Sequence, residues 1–235
     1  MGIEMEVEQD LEIYLQLDHV SKEMDQNWIL KDISIQCKRG KIYGFKGKNG
    51  SGKTMLMRII CGLVKPTKGH VTVGGITLGR KHNFPESVGA LIETPGFIGN
   101  YSGYQNLKVL AEIQGKIGKK EIEDVMAEVG LNPKEKKKTK KYSLGMKQKL
   151  GIAAAIMENP NLIILDEPTN ALDDEGIKNL HNILKKHKEA GALILISSHD
   201  KEELEYLSDV MIFMENGMIK DIKNIEIVKR KENEE

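Results

Sequence analysis

The chain has 235 residues, with 35 Lys and Arg balanced by 35 Asp and Glu; 40% of residues are hydrophobic and 30% charged. That length fits one large domain or two small ones with a sizeable core, and the apolar content excludes a disordered chain. A formal charge of zero excludes a general polyanion binder, which needs surplus Lys and Arg to displace the counterions of nucleic acid, so any anion site must be local.

The first residues are acidic (Glu4, Glu6, Glu8, Asp10), the reverse of a signal peptide's basic start, and Glu6 stands where a myristoylation motif wants Ser or Thr. No export or lipid signal is expected. Ile13, Leu15 and Leu17 alternate with Tyr14, Gln16 and Asp18, and Ile33, Ile35 and Cys37 alternate with Ser34, Gln36 and Lys38. This period of two marks half-buried strands and predicts an early antiparallel layer. Cys37 and Cys61 stand without a CxxC or Cys/His cluster, which predicts two reduced thiols and a cytosolic protein.

Val88 to Ile92, Leu162 to Leu165 and Leu193 to Ile196 are short apolar runs bounded by polar or turn residues, as in central strands covered on both faces. Between them, helical patterns run over Tyr104 to Gln114, Lys120 to Val129, Gly145 to Met157 and Gly176 to Ala190. The alternation predicts an α/β fold with a largely parallel sheet. Residues from about Thr94 to Glu158 read as helical throughout and are expected to form an inserted helical subdomain. The apolar runs, with Ile152 to Met157, fall far short of the roughly 20 residues needed to cross a bilayer, so no membrane span is expected.

Six lysines lie at 134, 136, 137, 138, 140 and 141. Without interleaved aromatics or a hydrophobic face they read as a solvated loop after Asn132-Pro133 rather than a membrane or nucleic-acid patch. Glu215-Asn216-Gly217, between Val210 to Met214 and Met218 to Ile222, predicts a hairpin. The charged tail, Lys229 to Glu235, is expected to fray. The chain shows no internal repeat.

Gly47-Lys48-Asn49-Gly50-Ser51-Gly52-Lys53-Thr54 fits GxxxxGK[ST] between the apolar strand Ile42 to Phe45 and a helical pattern at Met55, Leu56, Ile59 and Ile60, the context this phosphate loop requires. Glycines let backbone N–H groups turn toward a β-phosphate, and the following helix points its positive end at the same anion. Lys53 then reaches the β- and γ-phosphates and the Thr54 hydroxyl ligates Mg2+. Leu162-Ile163-Ile164-Leu165 ends in Asp166-Glu167. A buried strand ending in two carboxylates needs a compensating partner: Mg2+ for Asp166, with Glu167 orienting or deprotonating the water that attacks the γ-phosphate.

At these residues the chain resembles the nucleotide-binding subunits of ABC transporters, over about Leu11 to Ile222. Tyr142-Ser143-Leu144-Gly145-Met146-Lys147-Gln148 is similar to the family's LSGGQ signature in divergent form. The resemblance implies an α/β P-loop NTPase fold: a mostly parallel ABC ATPase core with an antiparallel β layer, and a helical subdomain at about 94–158 inserted in one domain, 1–235. It implies a dimer in which Ser143 and Gly145 of one copy close over ATP held by the phosphate loop of the other. Their place at the start of a helix suits a γ-phosphate contact. Asn170-Ala171-Leu172-Asp173 resembles the D-loop, through Asp173, and Ser198-His199-Asp200 resembles the switch histidine, whose expected role is a γ-phosphate contact by His199.

Two positions depart from the family. Glu93 in Ile92-Glu93-Thr94-Pro95 replaces the Q-loop glutamine and would bring a carboxylate near the metal. This E-loop and the Ser-Leu-Gly-Met-Lys-Gln signature resemble the subgroup of lantibiotic self-immunity and bacitracin-type peptide antibiotic export. Met24 stands at the adenine-stacking aromatic, with Trp28 and Tyr14 as alternatives. The implied protein is an ATPase using ATP and Mg2+, with separate integral membrane permease subunits and no nucleic acid, cytoplasmic and peripheral on the inner face of the membrane. Phe97, Tyr101 and Tyr104 are candidates both for a docking groove and for the core. The rival readings are an exporter of another substrate (ion, lipid or drug) and a soluble ABC ATPase of the iron–sulfur cluster assembly type.

Overall fold

A computed structural model describes residues 12–79 and 81–225; the acidic start and the charged tail lie outside the described residues. The first two strands, β1 (Ile13–Met24) and β2 (Asn27–Lys38), form an antiparallel hairpin. Asp25 and Gln26 both have positive φ, the backbone of a two-residue turn whose twist matches the strands it joins. Each strand carries an irregularity: His19 has φ 49° and Asp32 φ 52°, and the His19 ring nitrogen Nδ1 meets Asp32 Oδ1 at 2.7 Å. These interruptions change which side chains face inward, from Leu15 and Leu17 to Val20 on β1 and from Leu30 to Ile33 on β2. The apolar alternation read from sequence therefore covers only part of each strand.

β3 (Ile42–Lys46) enters the second sheet, and α1 (Lys53–Ile60) follows it. β4 (Lys68–Val73) and β5 (Ile76–Thr77), neither expected from sequence, return to the first layer, giving the strand order β2-β1-β4-β5. After β6 (Val88–Leu91), three helices follow one another before the next strand: α2 (Gly103–Gln114), α3 (Lys119–Glu128) and α4 (Leu144–Ile156). The chain then forms β7 (Leu162–Asp166), α5 (Asp174–Glu189), β8 (Leu193–Ser197), α6 (Lys201–Leu207), β9 (Val210–Glu215) and β10 (Met218–Asn224). Four expected helices start and end within two residues of those observed. The short α6 was not expected.

The second sheet has the order β10-β9-β3-β8-β7-β6. Strand pairs from β9 through β3, β8 and β7 to β6 are parallel, and β10 is antiparallel to β9. Every residue of β7 and β8 is buried, because the sheet is covered on both faces. Leu162, Ile164, Leu193 and Leu195 pack with the antiparallel layer and α1. Ile163, Leu165, Ile194 and Ile196 pack with the helices on the other face. A Cβ on Gly89 would lie 1.6 Å from the Ala155 carbonyl oxygen, so glycine at that position lets α4 lie directly on β6.

All six lysines of the 134–141 run are exposed. The segment is nevertheless pinned: Thr139, 1% exposed, donates its hydroxyl to the Ile98 carbonyl at 2.9 Å. Phe97 and Tyr104 lie at the edge of the core, while Tyr101 is 40% exposed. Among the described residues no helix is long and apolar enough to cross a membrane.

Candidate active site

The loop 47–54 lies between β3 and α1 and presses against its neighbours. A Cβ on Gly47 would stand 2.4 Å from the Met214 carbonyl oxygen, and one on Gly52 2.6 Å from Leu30 Cδ2. Gly52, at φ 105°, precedes α1 without supplying any side-chain cap, so the first-turn N–H groups stay available to an anion. The Ser51 hydroxyl is buried without a hydrogen-bond partner, which a phosphate oxygen would remedy. Lys53, 6% exposed, donates to the Gly47 carbonyl at 2.6 Å and to that of Lys48 at 3.4 Å. Lys48, Asn49 and Gly50 form the exposed crest; Gly50 has φ 79° and open space around it.

Thr54 donates its hydroxyl to Asp166 Oδ2 at 2.6 Å, and Ser197 donates to the other oxygen, Oδ1, at 2.6 Å. Ser197 closes β8 opposite Asp166 in register, and its hydroxyl also accepts from the Glu167 N–H at 3.0 Å. Sequence reasoning missed Ser197; its one signal was a polar residue ending the apolar run Leu193 to Ile196. Glu167 takes a left-handed backbone, φ 53°, and its Oε1 lies 3.1 Å from His199 Nε2. Burial pushes the Glu167 carboxyl above its ordinary pKa; His199 and Lys53 oppose that rise, and Asp166 adds to it.

The remaining residues divide. Ser143 caps α4 by accepting from the Met146 N–H at 3.2 Å, and a Cβ on Gly145 would lie 2.7 Å from the Ala171 carbonyl oxygen. Both thus stand at the start of α4, beside the loop after Glu167. Asp173 caps α5, accepting from the Gly176 N–H at 3.0 Å, with Lys149 at 3.7 Å. The hydrogen bond from Gly176 and then the Lys149 charge hold its carboxyl below the usual range. Gln148, 8% exposed, donates to the Pro168 carbonyl at 2.9 Å and so ties α4 to the end of β7; sequence reasoning gave it no role.

Glu93, φ 59°, does not join Thr54 and Asp166: its carboxylate pairs with Arg58 of α1 at 2.6 Å. Met24 is 45% exposed beside the hairpin turn. Trp28, also near that turn, has the Lys68 ammonium 5.3 Å from its ring centre. Tyr14 lies near the opposite end of β1, roughly 30 Å away at the usual strand rise, with Arg39 5.0 Å from its ring centre.

Among the described residues no group of three or more His, Cys, Asp and Glu is gathered as for a metal ion. Mg2+ commonly takes one or two protein oxygens and completes its shell with substrate phosphates and water. Thr54 and Asp166 are the pair that would hold it, and the orphaned Ser51 hydroxyl and uncapped α1 fit a polyphosphate.

The sequence profile of the ABC transporter family matches residues 30–170, and the chain belongs to that family as an ATP-binding, ATP-hydrolysing cassette. It is 40% identical to the bacitracin transport ATP-binding protein BcrA of Enterococcus faecalis, over 94% of this chain and 72% of that one. It is 38% identical to the lantibiotic transport ATP-binding protein SrtF of Streptococcus pyogenes, over 87% and 88% of the two chains. Its fold is similar to the solved structure of an ATP-binding subunit of an ABC transporter, with a TM-score of 0.83, 27% identity and 90% of each chain covered.

Proposed function

We propose that the chain powers export of a peptide antibiotic, as a self-immunity or resistance device, by hydrolysing ATP for separate membrane permease subunits. The observation that carries the ATPase site is the convergence of three segments: Thr54 bonded to Asp166, Ser197 bonded to Asp166 and to the Glu167 N–H, and Glu167 paired with His199. The likeness to BcrA and SrtF supports the substrate class. Residues 94–158 are read as a helical subdomain inserted in a single ATPase domain. The cassette works on the cytoplasmic face of the membrane, as a dimer formed with ATP.

Loop 47–54, through Lys53 and its backbone amides, holds the β- and γ-phosphates. Thr54 and Asp166 would hold Mg2+, which would supply charge neutralisation on those phosphates. Glu167 takes a proton from water as its oxygen bonds to the γ-phosphorus; the bond to the β-phosphate oxygen breaks, giving ADP and phosphate. A base whose pKa is raised by burial is better matched to this step near neutrality. His199 holds the Glu167 carboxylate and lies toward the γ-phosphate. Ser143 and Gly145 of a second copy complete the site, Asp173 couples the two sites, and Met24 lies against adenine.

Glu167→Gln should retain ATP binding, lose nearly all turnover and accumulate as an ATP-bound dimer in size-exclusion chromatography. Turnover equal to wild type would remove Glu167 from the chemistry. Expression of the chain with its neighbouring membrane subunits should raise resistance to bacitracin or a lantibiotic. Unchanged sensitivity to both classes would remove the peptide antibiotic assignment while leaving the ATPase intact.

A further inference from the structure

We propose that Glu203 is a positioning residue that ties the loop after Glu167 to the loop bearing His199, so that the two catalytic side chains keep their spacing; this rests on the hydrolytic roles assigned to Glu167 and His199. Glu203 lies on α6, its side chain 9% exposed. One carboxylate oxygen, Oε2, accepts from two hydroxyls: Ser198 at 2.7 Å and Thr169 at 3.1 Å. Ser198 immediately precedes His199, and Thr169 follows Glu167 by two residues. The same carboxylate therefore holds, through side-chain hydroxyls, a residue close in sequence to each member of the 3.1 Å Glu167–His199 contact.

The surrounding bonds make this grip directional. The Ser198 hydroxyl accepts from the Asp200 N–H at 3.1 Å, leaving its proton for Glu203. Asp200 in turn accepts from the Glu202 and Glu203 N–H groups at 2.8 and 3.2 Å, fixing the start of α6. On the other side, Gln148 holds the Pro168 carbonyl, so Glu203 closes a chain of contacts from α4 through residues 168–169 to residue 198. Hydrogen bonds to an ionised acceptor are shorter and stronger than neutral ones, which suits a carboxylate to this task.

The second oxygen is turned toward α5. Oε1 is buried with no hydrogen-bond partner and faces His181 Nε2, equally unpartnered, at 3.8 Å. The His181 ring comes from α5 and lies 5.2 Å, centre to centre, from that of Tyr206. The hydrogen bonds and ion pair of Glu203 among the described residues go to Thr169, Ser198, Asp200 and His181 and none to loop 47–54, so its effect should fall on turnover rather than on ATP binding.

Glu203→Ala should lower kcat about tenfold or more while KM for ATP stays within about twofold, the signature of lost alignment rather than lost binding. Glu203→Gln should keep kcat within about threefold, because its carbonyl oxygen can still accept both hydroxyls. Wild-type kcat in Glu203→Ala, or equal losses in the Ala and Gln variants, would overturn the proposal. Should Glu203→Ala fail to fold, Thr169→Val and Ser198→Ala each delete one hydroxyl; a fall in kcat at constant KM supports the tie, and wild-type kcat in both overturns it. Glu167→Gln in the same assay separates the two ideas. If it is inert while Glu203→Ala is unaffected, only the positioning role fails; if it turns over normally, the hydrolytic assignment itself fails.

Discussion

Arg58 on α1 holds the Glu93 carboxylate at 2.6 Å, so the charge that replaces the expected glutamine is turned onto the helix behind the phosphate loop. The two side chains are 34% and 59% exposed, and such pairs contribute about 0–1 kcal/mol to stability. The consequence should therefore lie in metal use. Arg58→Ala releases the Glu93 carboxylate for the metal role expected of it from sequence and should lower the Mg2+ concentration giving half-maximal hydrolysis, with thermal midpoint nearly unchanged. Glu93→Gln should shift it the other way. An unchanged Mg2+ titration in both variants would take Glu93 out of the metal site.

Gly50 and Gly52 stand two residues apart and should respond differently to a methyl group. At Gly50 there is open space and only a left-handed backbone, φ 79°, so Gly50→Ala should cost about 1–2 kcal/mol in urea unfolding and keep most nucleotide affinity. At Gly52 the added Cβ meets Leu30 Cδ2 at 2.6 Å and the Ile29 carbonyl oxygen at 3.3 Å. The fully buried Leu30 side chain or the loop must shift, so Gly52→Ala should weaken nucleotide binding and destabilise by about 1–3 kcal/mol beyond the backbone strain. Equal effects at the two glycines would contradict the packing of the loop on β2.

Lys53 folds its ammonium onto the carbonyls of its own loop, which keeps the charge at the loop. Lys53→Met should preserve the fold and weaken ATP by at least about tenfold, roughly 1.4 kcal/mol, read by titration calorimetry. Wild-type affinity in this variant would remove Lys53 from the phosphate contact.

His187 of α5 is 5% exposed. Burial holds its pKa below the ordinary histidine value, assisted by Lys186 and opposed by Glu128. Its depressed pKa means that the unfolded chain takes up a proton first as pH falls. The stability associated with the neutral ring is thus complete above about pH 6.5 and is lost as pH falls from there through the lower folded value. His187→Gln should flatten the fall in thermal midpoint between about pH 7 and 5. A pH profile parallel to wild type would show that His187 does not contribute to acid sensitivity.

The parts of the fold legible in sequence are those where local pattern and burial agree. β7 and β8 are read from their apolar runs because both faces are covered, and α2 to α5 from a helical period that their caps close. β4, β5 and α6 were missed because Lys68–Val73 mixes charge with glycine, Ile76–Thr77 is too short to show a period, and α6 buries only Leu204. At the site, loop 47–54, Asp166 and Glu167 are legible because a motif fixes their spacing. Ser197, Gln148 and Arg58 act across the fold: Ser197 depends on the β7–β8 register, Gln148 on how α4 seats, Arg58 on the turn after β6. No local pattern carries that information.

Gly145 leaves room for the first turn of α4 to rest on the Ala171 carbonyl, and Asp173, two residues on, anchors α5. The first turn of α4 and the loop that leads into α5 therefore meet at one backbone contact, with Ser143 on one side of it and Asp173 on the other. A side chain at position 145 would force the two apart, so the spacing between Ser143 and Asp173 depends on that one missing methyl group.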